Sequence, residues 1–205
     1  MYIPYRLIQG FFILLLFGLV ILGTNPAIAG SLSLSEAPEQ KAIEERNGMF
    51  GRLKDRIVQT WSEGDVNLFV PAYTWHNRFT YDRERVRNYN EHPWGAGLGL
   101  SIVDEGGDSH LLFLMAFQDS WSEIQPYGGY GYFKNWYFDS NNDLRIGVGI
   151  SLGITAREQY SYIPFPLPAP IFGIGYKQFS VEAAYIPGPR NNMNFFFTWL
   201  RWTFS

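Results

Sequence analysis

The stretch from Arg145 to Thr155, RIGVGISLGIT, decides the fold class. From Gly147 onward every second residue is small or hydroxylated, and the residues between them are Val, Ile or Leu. Because neighbouring residues of a β-strand point to opposite faces, this strand has one nearly bare face and one bulky apolar face. The stretch 94–101, WGAGLGLS, repeats the pattern. A soluble sandwich buries large side chains, whereas a membrane barrel turns aliphatics toward lipid and leaves lumen space beside glycines. The pattern therefore predicts a membrane barrel.

Eight segments with this period of two follow one another along the chain. Turns rich in Gly, Asp and Asn lie at 105–108 and 139–143, whereas the connections 82–93, 159–169 and 187–192 are longer or rich in proline. Aromatic residues cluster at segment ends, as in the girdles of membrane barrels. We predict an all-β fold, an eight-stranded antiparallel transmembrane β-barrel with both termini on the short-turn, periplasmic side. The predicted strands are 66–81, 94–104, 110–121, 125–137, 144–158, 170–176, 179–186 and 193–204.

The amino-terminal region has the layout of a secretory signal peptide. Arg6 precedes an apolar run from Phe11 to Gly23, and the small-residue site Ala27-Ile28-Ala29 follows. The run is short for a membrane span, which needs about 20 apolar residues. We expect residues 1–29 to be a signal peptide that is cleaved near Ala29, and an uncleaved anchor is the alternative.

Residues 35–61 predict a helix with Ser35 as its cap. Its apolar residues recur at helical spacing, with arginines and a lysine between them: Ile43, Phe50, Leu53, Ile57 and Trp61. An apolar stripe with basic residues and a terminal Trp is typical of an amphipathic helix in a membrane interface. A helix packed on the barrel is the alternative, and both stay open. The predicted organisation is a signal peptide at 1–29, an N-terminal interfacial helix segment at 30–63 and a transmembrane barrel at 64–205.

Composition excludes several kinds of chemistry. The formal net charge of −3 argues against general nucleic-acid binding. The absence of Cys excludes disulfides, thiolate metal sites and cysteine nucleophiles. With only three His in 205 residues, we expect no histidine-rich metal site.

Three polar residues are candidates for catalysis. His76 lies near the end of the first predicted strand, and Asp119 and Ser120 lie near the end of the third. Alternate strands of an up-and-down barrel run the same way, so these side chains meet at the long-loop rim. His transfers protons near neutral pH, and Ser is a nucleophile or a hydrogen-bond donor. Because Asp119 and Ser120 are consecutive, regular pleating points them apart, and a relay through all three requires a bulge or loop. Ordinary polar residues of a barrel rim are the alternative.

The placement of proline predicts two lateral openings in the wall, because proline cannot donate to a strand ladder. Pro71 interrupts the first strand and Pro93 begins the second, while Pro170 begins the sixth and Pro187 ends the seventh. Lipid entering sideways is a reason to leave such gaps in hydrocarbon, and simple loop termination is the alternative for any single proline. The first upper loop carries three arginines that can bind phosphates, although a solvated loop is the commoner outcome: Arg83, Arg85 and Arg87.

Together these motifs resemble the lipid A palmitoyltransferase family, PagP. The matching stretches run in order across residues 55–204: Val70-Pro-Ala-Tyr-Thr-Trp-His-Asn-Arg-Phe, Tyr89-Asn-Glu-His-Pro-Trp-Gly, Met115-Ala-Phe-Gln-Asp-Ser-Trp, Gly129-Tyr-Gly, Thr155-Ala-Arg, Tyr162-Ile-Pro and Tyr185-Ile-Pro-Gly. The resemblance implies an outer-membrane acyltransferase without cofactor or metal. It would move palmitate from the sn-1 position of a glycerophospholipid donor to the hydroxyl of an acyl chain on the acceptor, lipid A within lipopolysaccharide. A monomer or weak homodimer is expected.

The resemblance also implies roles for individual residues. The family's essential residues correspond to His76, Asp119 and Ser120, and its acyl-measuring glycine and lipopolysaccharide-recognising basic residue correspond to Gly131 and Arg85. Its lateral-gate prolines correspond to Pro71, Pro93, Pro170 and Pro187. There are two departures: a gate Tyr is replaced by Arg190, and Ser205 follows Phe204 where such barrels usually end in Phe.

Two other functions remain open at this point. A non-enzymatic small outer-membrane barrel, used for adhesion or envelope structure, would be indifferent to His76→Ala. A soluble lipocalin-like carrier would stay in solution without detergent after export.

Overall fold

The computed structural model describes residues 37–204, and side chains from residue 48 onward. The predicted signal peptide, the cap Ser35 and the terminal Ser205 lie outside the described residues. Helix α1 spans Ala37–Glu63, close to the predicted 35–61. It ends before Gly64, where a Cβ would lie 2.3 Å from the carbonyl oxygen of Thr60. None of the described helices is both long and apolar enough to cross a membrane.

The strands that follow α1 form one closed, antiparallel barrel in sequence order. The last strand pairs with the first along their whole length, from Val66 opposite Phe204 to His76 opposite Phe195. Within the described residues this confirms the predicted eight-stranded barrel. The strands are β1 Asp65–His76, β2 Gly95–Val103, β3 Ser109–Gln118, β4 Ile124–Tyr137, β5 Leu144–Thr155, β6 Phe165–Tyr176, β7 Phe179–Ile186 and β8 Phe195–Phe204.

The sixth strand corrects the prediction, which began it at Pro170. β6 begins five residues earlier, at Phe165, and its ladder with β5 starts there opposite Thr155. Pro166, Pro168 and Pro170 all lie inside the strand. The ladder between β6 and β7 extends only to Ile171. The proline-containing half of β6 is therefore an edge toward β7, and an edge is where a residue without an N–H is tolerated in a sheet.

The connections differ between the two rims of the barrel. One rim, called the long-loop rim here, carries the segments 77–94, 156–164 and 187–194 together with the tight loop 119–123. The first of these contains the short helix α2, Arg83–Arg87. The other rim, called the short-turn rim, carries the turns 104–108, 138–143 and 177–178 and both ends of the barrel. This asymmetry agrees with the predicted topology.

Side chains alternate between the outer surface and the lumen as the sequence predicted. The outer face of β5 is aliphatic and exposed, as lipid contact requires: Ile146, Val148, Ile150 and Leu152. The lumen has two layers. An apolar cluster lines the half nearer the long-loop rim, with Phe69, Phe117 and Phe197 among its members. The half nearer the short-turn rim is polar and includes Asn67, Asn135, Ser180, Glu182 and Arg201, all buried.

The strand glycines leave less open space than expected. At Gly153 the position of a Cβ is occupied by the Tyr127 ring, 2.4 Å away, and at Gly149 it would lie 1.7 Å from the Tyr132 carbonyl oxygen. These glycines therefore admit neighbouring side chains and backbone rather than a ligand. Among the glycines of the described strands, Gly131 alone would place a Cβ no closer than 3.6 Å to any other atom.

Candidate functional site

His76 is the last residue of β1 and is nearly inaccessible, with 1 % of its surface exposed. Its Nε2 lies 3.0 Å from Oγ of Ser120. Three aromatic rings enclose the imidazole, with centroid distances of 4.7 Å to Tyr89, 5.3 Å to Tyr81 and 5.7 Å to Phe195. Burial raises the pKa of the Tyr81 phenol to about 12, so Tyr81 stays neutral, and it donates to the carbonyl oxygen of Met193. A hydroxyl thus faces an imidazole nitrogen inside an aromatic enclosure.

Ser120 is presented by a tight loop that Asp119 organises. β3 ends at Gln118, so the pleating that would separate Asp119 from Ser120 has already stopped. Oδ1 of Asp119 accepts the backbone N–H groups of Trp121, at 2.8 Å, and Glu123, at 3.1 Å. Its Oδ2 accepts Nη2 of Arg157 at 2.8 Å. Both oxygens of Asp119 are thereby engaged away from His76. The structure joins His76 to Ser120 directly, whereas Asp119 shapes the loop.

Glu91 is a member of this cluster that the sequence analysis missed. Its Oε1 lies 3.0 Å from Nδ1 of His76, on the side of the ring opposite Ser120. Arg78 donates to both Glu91 oxygens, at 2.8 Å and 2.5 Å. Burial by itself raises the pKa of Glu91, but the hydrogen bonds from Arg78 and His76 outweigh burial and lower that pKa to about 2. Glu91 is therefore a carboxylate at any physiological pH.

The segment 77–94 brings Glu91 to His76 by folding back over the rim. The backbone N–H of Thr74 in β1 donates to the carbonyl oxygen of Glu91 at 2.9 Å, and the N–H of Asn90 donates to that of Ser120 at 2.8 Å. The loop thus bonds to both elements that carry the His–Ser pair. No periodicity or spacing in the sequence indicates this contact, and the only signal was the position of Glu91 within the Tyr89–Gly95 stretch.

Arg157 carries a buried donor that no group satisfies. Its Nε has no hydrogen-bond partner among the described residues, although Nη2 is paired with Asp119. The Asp119–Arg157 pair joins the loop 119–123 to the segment 156–164 across the long-loop rim. The rim therefore has an ion pair, Asp119–Arg157, next to Ser120.

The ladders leave two gaps near the long-loop rim. Pairing between β1 and β2 stops at Phe69, and a register shift between Pro71 and Tyr73 follows on the β8 side of β1. Pro93 lies just before β2 in the same region. Between β6 and β7 pairing stops at Ile171, next to Pro170, and Pro187 follows the end of β7. All four prolines thus lie beside incomplete ladders.

An apolar pocket of about 420 Å³ lies beside the second gap. It is lined by residues of the segment 156–164, the start of β6 and the segment 187–194: Tyr160, Ile163, Phe165 and Met193. Apolar lining at an incomplete ladder suits a hydrocarbon chain better than water.

The two loop arginines predicted from the sequence tie neighbouring loops together. Arg190 donates to Oδ1 of Asp82 at 2.9 Å, in an exposed ion pair. Nη1 of Arg85 donates to the carbonyl oxygen of Asn191 at 3.3 Å. Both contacts join the segment 77–94 to the segment 187–194. Arg190 therefore pairs with Asp82 at the position where the resemblance implies a gate tyrosine.

Gly131 faces the lumen on β4, with Leu111 and Ser151 as its register partners. Phe133 follows on the same face of the strand and is buried. Beyond Phe133, Asn135 belongs to the polar layer and donates to Ser109 at 2.7 Å. Gly131 thus lies near the lower end of the apolar layer, one lumen-facing position before Phe133. Across residues 37–204 there is no group of three acidic or imidazole side chains arranged to hold a metal ion.

Comparison with known proteins agrees with this architecture. Residues 56–201 match the family described as "PagP: Antimicrobial peptide resistance and lipid A acylation protein PagP". The chain is similar to three proteins each named "Lipid A acyltransferase PagP". The one from Sodalis glossinidius (strain morsitans) is 48 % identical over 77 % of this chain and 83 % of its own length. Those from Serratia proteamaculans (strain 568) and Dickeya dadantii (strain 3937) are both 43 % identical, over 87 % and 92 % of this chain and 91 % and 95 % of their own lengths. The chain therefore belongs to the PagP family.

Proposed function

We propose that this outer-membrane barrel transfers a palmitoyl chain from the sn-1 position of a glycerophospholipid to the hydroxyl of an acyl chain on lipid A. The observation that carries the proposal is the 3.0 Å contact between His76 Nε2 and Ser120 Oγ. It lies at the rim above an apolar lumen, where an ester and a hydroxyl from two lipids would meet. The family and its lipid A acyltransferases support the reaction class.

The chemistry needs a base and no cofactor. The lipid A hydroxyl oxygen attacks the carbonyl carbon of the sn-1 ester, and Nε2 of His76 takes the hydroxyl proton. The bond between that carbon and the glycerol oxygen then breaks, and the proton passes from His76 to the glycerol oxygen. The products are a lysophospholipid and lipid A with one more ester. In this scheme the hydroxyl of Ser120 donates a hydrogen bond within the site, and Asp119 maintains the loop that presents it.

The incomplete ladders provide routes for two lipids to enter from the membrane. We propose that the gaps marked by Pro71 and Pro93, and by Pro170 and Pro187, admit the donor and the acceptor sideways. The donor acyl chain then lies in the apolar layer of the lumen, and its terminal methyl meets the floor at Gly131. Arg85 on α2 lies beside the segment 187–194 at the long-loop rim, and in this proposal it donates charge-assisted hydrogen bonds to the lipid A phosphates.

The amino-terminal segment fits a peripheral position at the membrane. Thr60 is fully buried, whereas Val58 and Trp61 on α1 remain exposed. We propose that this exposed apolar surface lies in the periplasmic membrane interface after signal-peptide cleavage near Ala29. We also propose that the protein acts as a monomer or weak homodimer.

Mass spectrometry of lipid A from cells with and without the protein tests the proposal. We expect lipid A heavier by one palmitoyl group only when the protein is present. His76→Ala should remove that product while the barrel still folds, as judged by its heat-shifted gel mobility. His92→Ala is the matched control, because His92 is exposed and contacts Tyr73 rather than Ser120.

Two outcomes would change the assignment. An unmodified lipid A in cells that contain the folded protein would favour a non-enzymatic envelope barrel. Full transfer by folded His76→Ala protein would remove His76 from the mechanism. Ser120→Ala should lower transfer without abolishing it. Complete loss of transfer in that variant, together with an acyl-Ser120 intermediate trapped in the wild type, would assign the covalent route instead.

A further inference from the structure

We propose that Glu91, secured by Arg78, is a positioning residue that fixes the tautomer and orientation of His76. The inference rests on the proposed function, since it assigns a partner to the base of that reaction. It starts from geometry: His76 has one ring nitrogen 3.0 Å from a carboxylate oxygen and the other 3.0 Å from a hydroxyl. The Ser120 hydroxyl, the His76 imidazole and the Glu91 carboxylate thus follow one another in a row. In such a row the acid orients the imidazole that acts as the base.

The protonation states follow from what each partner can accept. A neutral imidazole has one N–H and one lone pair. The Glu91 carboxylate only accepts, so the His76 nitrogen that faces it, Nδ1, must carry the proton. Nε2 then carries the lone pair toward Ser120, whose hydroxyl donates. This is the tautomer that a base needs if it is to take a proton at the site of transfer.

Arg78 and the backbone restrict where the carboxylate can lie. Arg78 engages both Glu91 oxygens, and the backbone N–H of His76 also donates to Oε1 at 3.3 Å. The side chains of His76 and Glu91 are 1 % and 14 % exposed. Water has little access to replace either contact, so the ring cannot rotate without losing a buried hydrogen bond.

The charges around His76 define what the carboxylate does during the reaction. Glu91 and Arg78 come from the segment that follows β1, and the remaining neighbours are neutral: Ser120 from the loop 119–123, Tyr81 and Tyr89 from the segment 77–94, and Phe195 from β8. When His76 takes the proton it becomes an imidazolium beside an anion. The Glu91 carboxylate stabilises that charge, whereas Asp119 is committed to Arg157 and the loop backbone.

A set of variants separates positioning from folding. Glu91→Gln keeps the shape but removes the charge, and an amide offers the imidazole a donor as well as an acceptor. Glu91→Asp keeps the charge on a side chain shorter by one methylene. We expect kcat to fall by about 10-fold to 100-fold in Glu91→Gln, as for a slightly misplaced catalytic group, with partial rescue in Glu91→Asp. KM for the donor should change little. Glu84→Gln removes an exposed charge from α2 in the same loop and should leave transfer unchanged.

Two readouts respond to positioning but not to a merely structural role. The acid limb of the kcat/KM profile should move to lower pH in Glu91→Gln, because the imidazolium loses its anionic partner, and it should stay in place in Glu84→Gln. Nitrogen-15 NMR of histidine-labelled protein in detergent micelles should show His76 as the Nδ1–H tautomer in the wild type. Mixed tautomers are expected in Glu91→Gln, and the His76 signal is assigned by its loss in His76→Ala.

The outcomes distinguish this proposal from the proposed function. Wild-type protein that makes no acylated lipid A would sink the proposed function, while the tautomer measurement would still test Glu91. A wild type that transfers while folded Glu91→Gln matches Glu84→Gln in kcat and pH profile would overturn the role of Glu91 alone. If the Glu91 variants do not fold, the wild type still tests the proposal. Finding His76 as the Nε2–H tautomer in the wild type would also overturn the role of Glu91.

Discussion

Enlarging Gly131 should shorten the acyl chain that the enzyme selects. An added Cβ would lie 3.6 Å from Leu111 Cβ, 3.7 Å from Ile171 Cδ1 and 4.0 Å from Phe113 Cε1, which are ordinary contacts. Gly131→Ala therefore needs no rearrangement of the barrel, and the barrel gains up to about 1 kcal/mol because Gly is unfavourable in a strand. Gly131→Met would extend further into the lumen. If the terminal methyl of the donor meets Gly131 as proposed, both substitutions raise the floor of the lumen beneath it.

The size of the effect follows from burial of methylene groups. Each buried CH₂ contributes about 0.8 kcal/mol, so one that no longer fits lowers kcat/KM by about 4-fold, and two lower it by about 15-fold. Gly131→Ala should thus lower transfer of a sixteen-carbon chain by about one such step. Gly131→Met should lower it by two steps or more and make a shorter chain the preferred one.

Synthetic phosphatidylcholines with chains of ten to eighteen carbons provide the assay. The kcat/KM for each donor is measured in mixed micelles with lipid A as the acceptor. The ten-carbon donor is an internal control, because its chain ends before the floor and its transfer should be unaffected. A chain profile that stays unchanged in Gly131→Met, with reduced barrel stability, would assign Gly131 to strand curvature and refute the ruler.

Three further predictions concern the rim and the polar layer. In the wild type Arg201 lies 2.7 Å from the Glu182 carboxylate, and Glu182→Ala leaves Arg201 buried without a counter-charge. We expect this variant to lower the free energy of unfolding in urea by about 3–5 kcal/mol, and the double variant Glu182→Leu with Arg201→Met to recover most of that loss. A loss below about 1 kcal/mol in Glu182→Ala would contradict the ion-pair argument. Asp119→Asn and Arg157→Met should each slow transfer, because each removes the ion pair between these residues. The double variant should therefore transfer no more slowly than the slower of the two single variants. Additive losses of rate would show that the two residues have separate roles. The folded-state pKa of Glu91 is about 2, below its ordinary value near 4.5. The ionised carboxylate therefore contributes its full share to the free energy of unfolding above about pH 4.5, and this contribution is lost as the pH falls through about 2. A carboxyl carbon-13 titration should place the midpoint near 2 and raise it in Arg78→Gln, and a wild-type midpoint above 4 would refute the contact.

Local pattern was sufficient for the architecture. The alternation in Arg145–Thr155 appears as one lipid-facing and one lumen-facing row, since the two faces of a strand are set by the backbone itself. Turn composition located the short-turn rim for the same reason, because Gly, Asn and Asp adopt tight turns whatever surrounds them. The bounds of two strands were wrong by five residues: β1 ends at His76 rather than at residue 81, and β6 begins at Phe165 rather than at Pro170. Three alternating prolines obscured the start of β6. A proline is acceptable in that half of the strand because the half does not pair with β7, and only the tertiary structure shows that this pairing is absent.

The site was only partly predictable. The sequence brought His76 and Ser120 to one rim through strand direction alone, and their direct contact agrees with that prediction. It also suggested Asp119 as the third member. In the structure Asp119 accepts backbone N–H groups of its own loop, an ordinary use of an Asp in a turn, and its role in catalysis stays a prediction.

What the sequence by itself determined is therefore the set of properties that repeat along the backbone: strand number, faces, rim identity and the rows of small residues. Only the tertiary structure decided which side chains meet at the rim. Glu91 reaches His76 across 15 residues because an irregular loop folds back onto Thr74 of β1, and Arg157 reaches Asp119 across 38 residues because neighbouring loops converge. Neither contact has a period, since loop conformation depends on the particular hydrogen bonds that close it rather than on a repeating geometry.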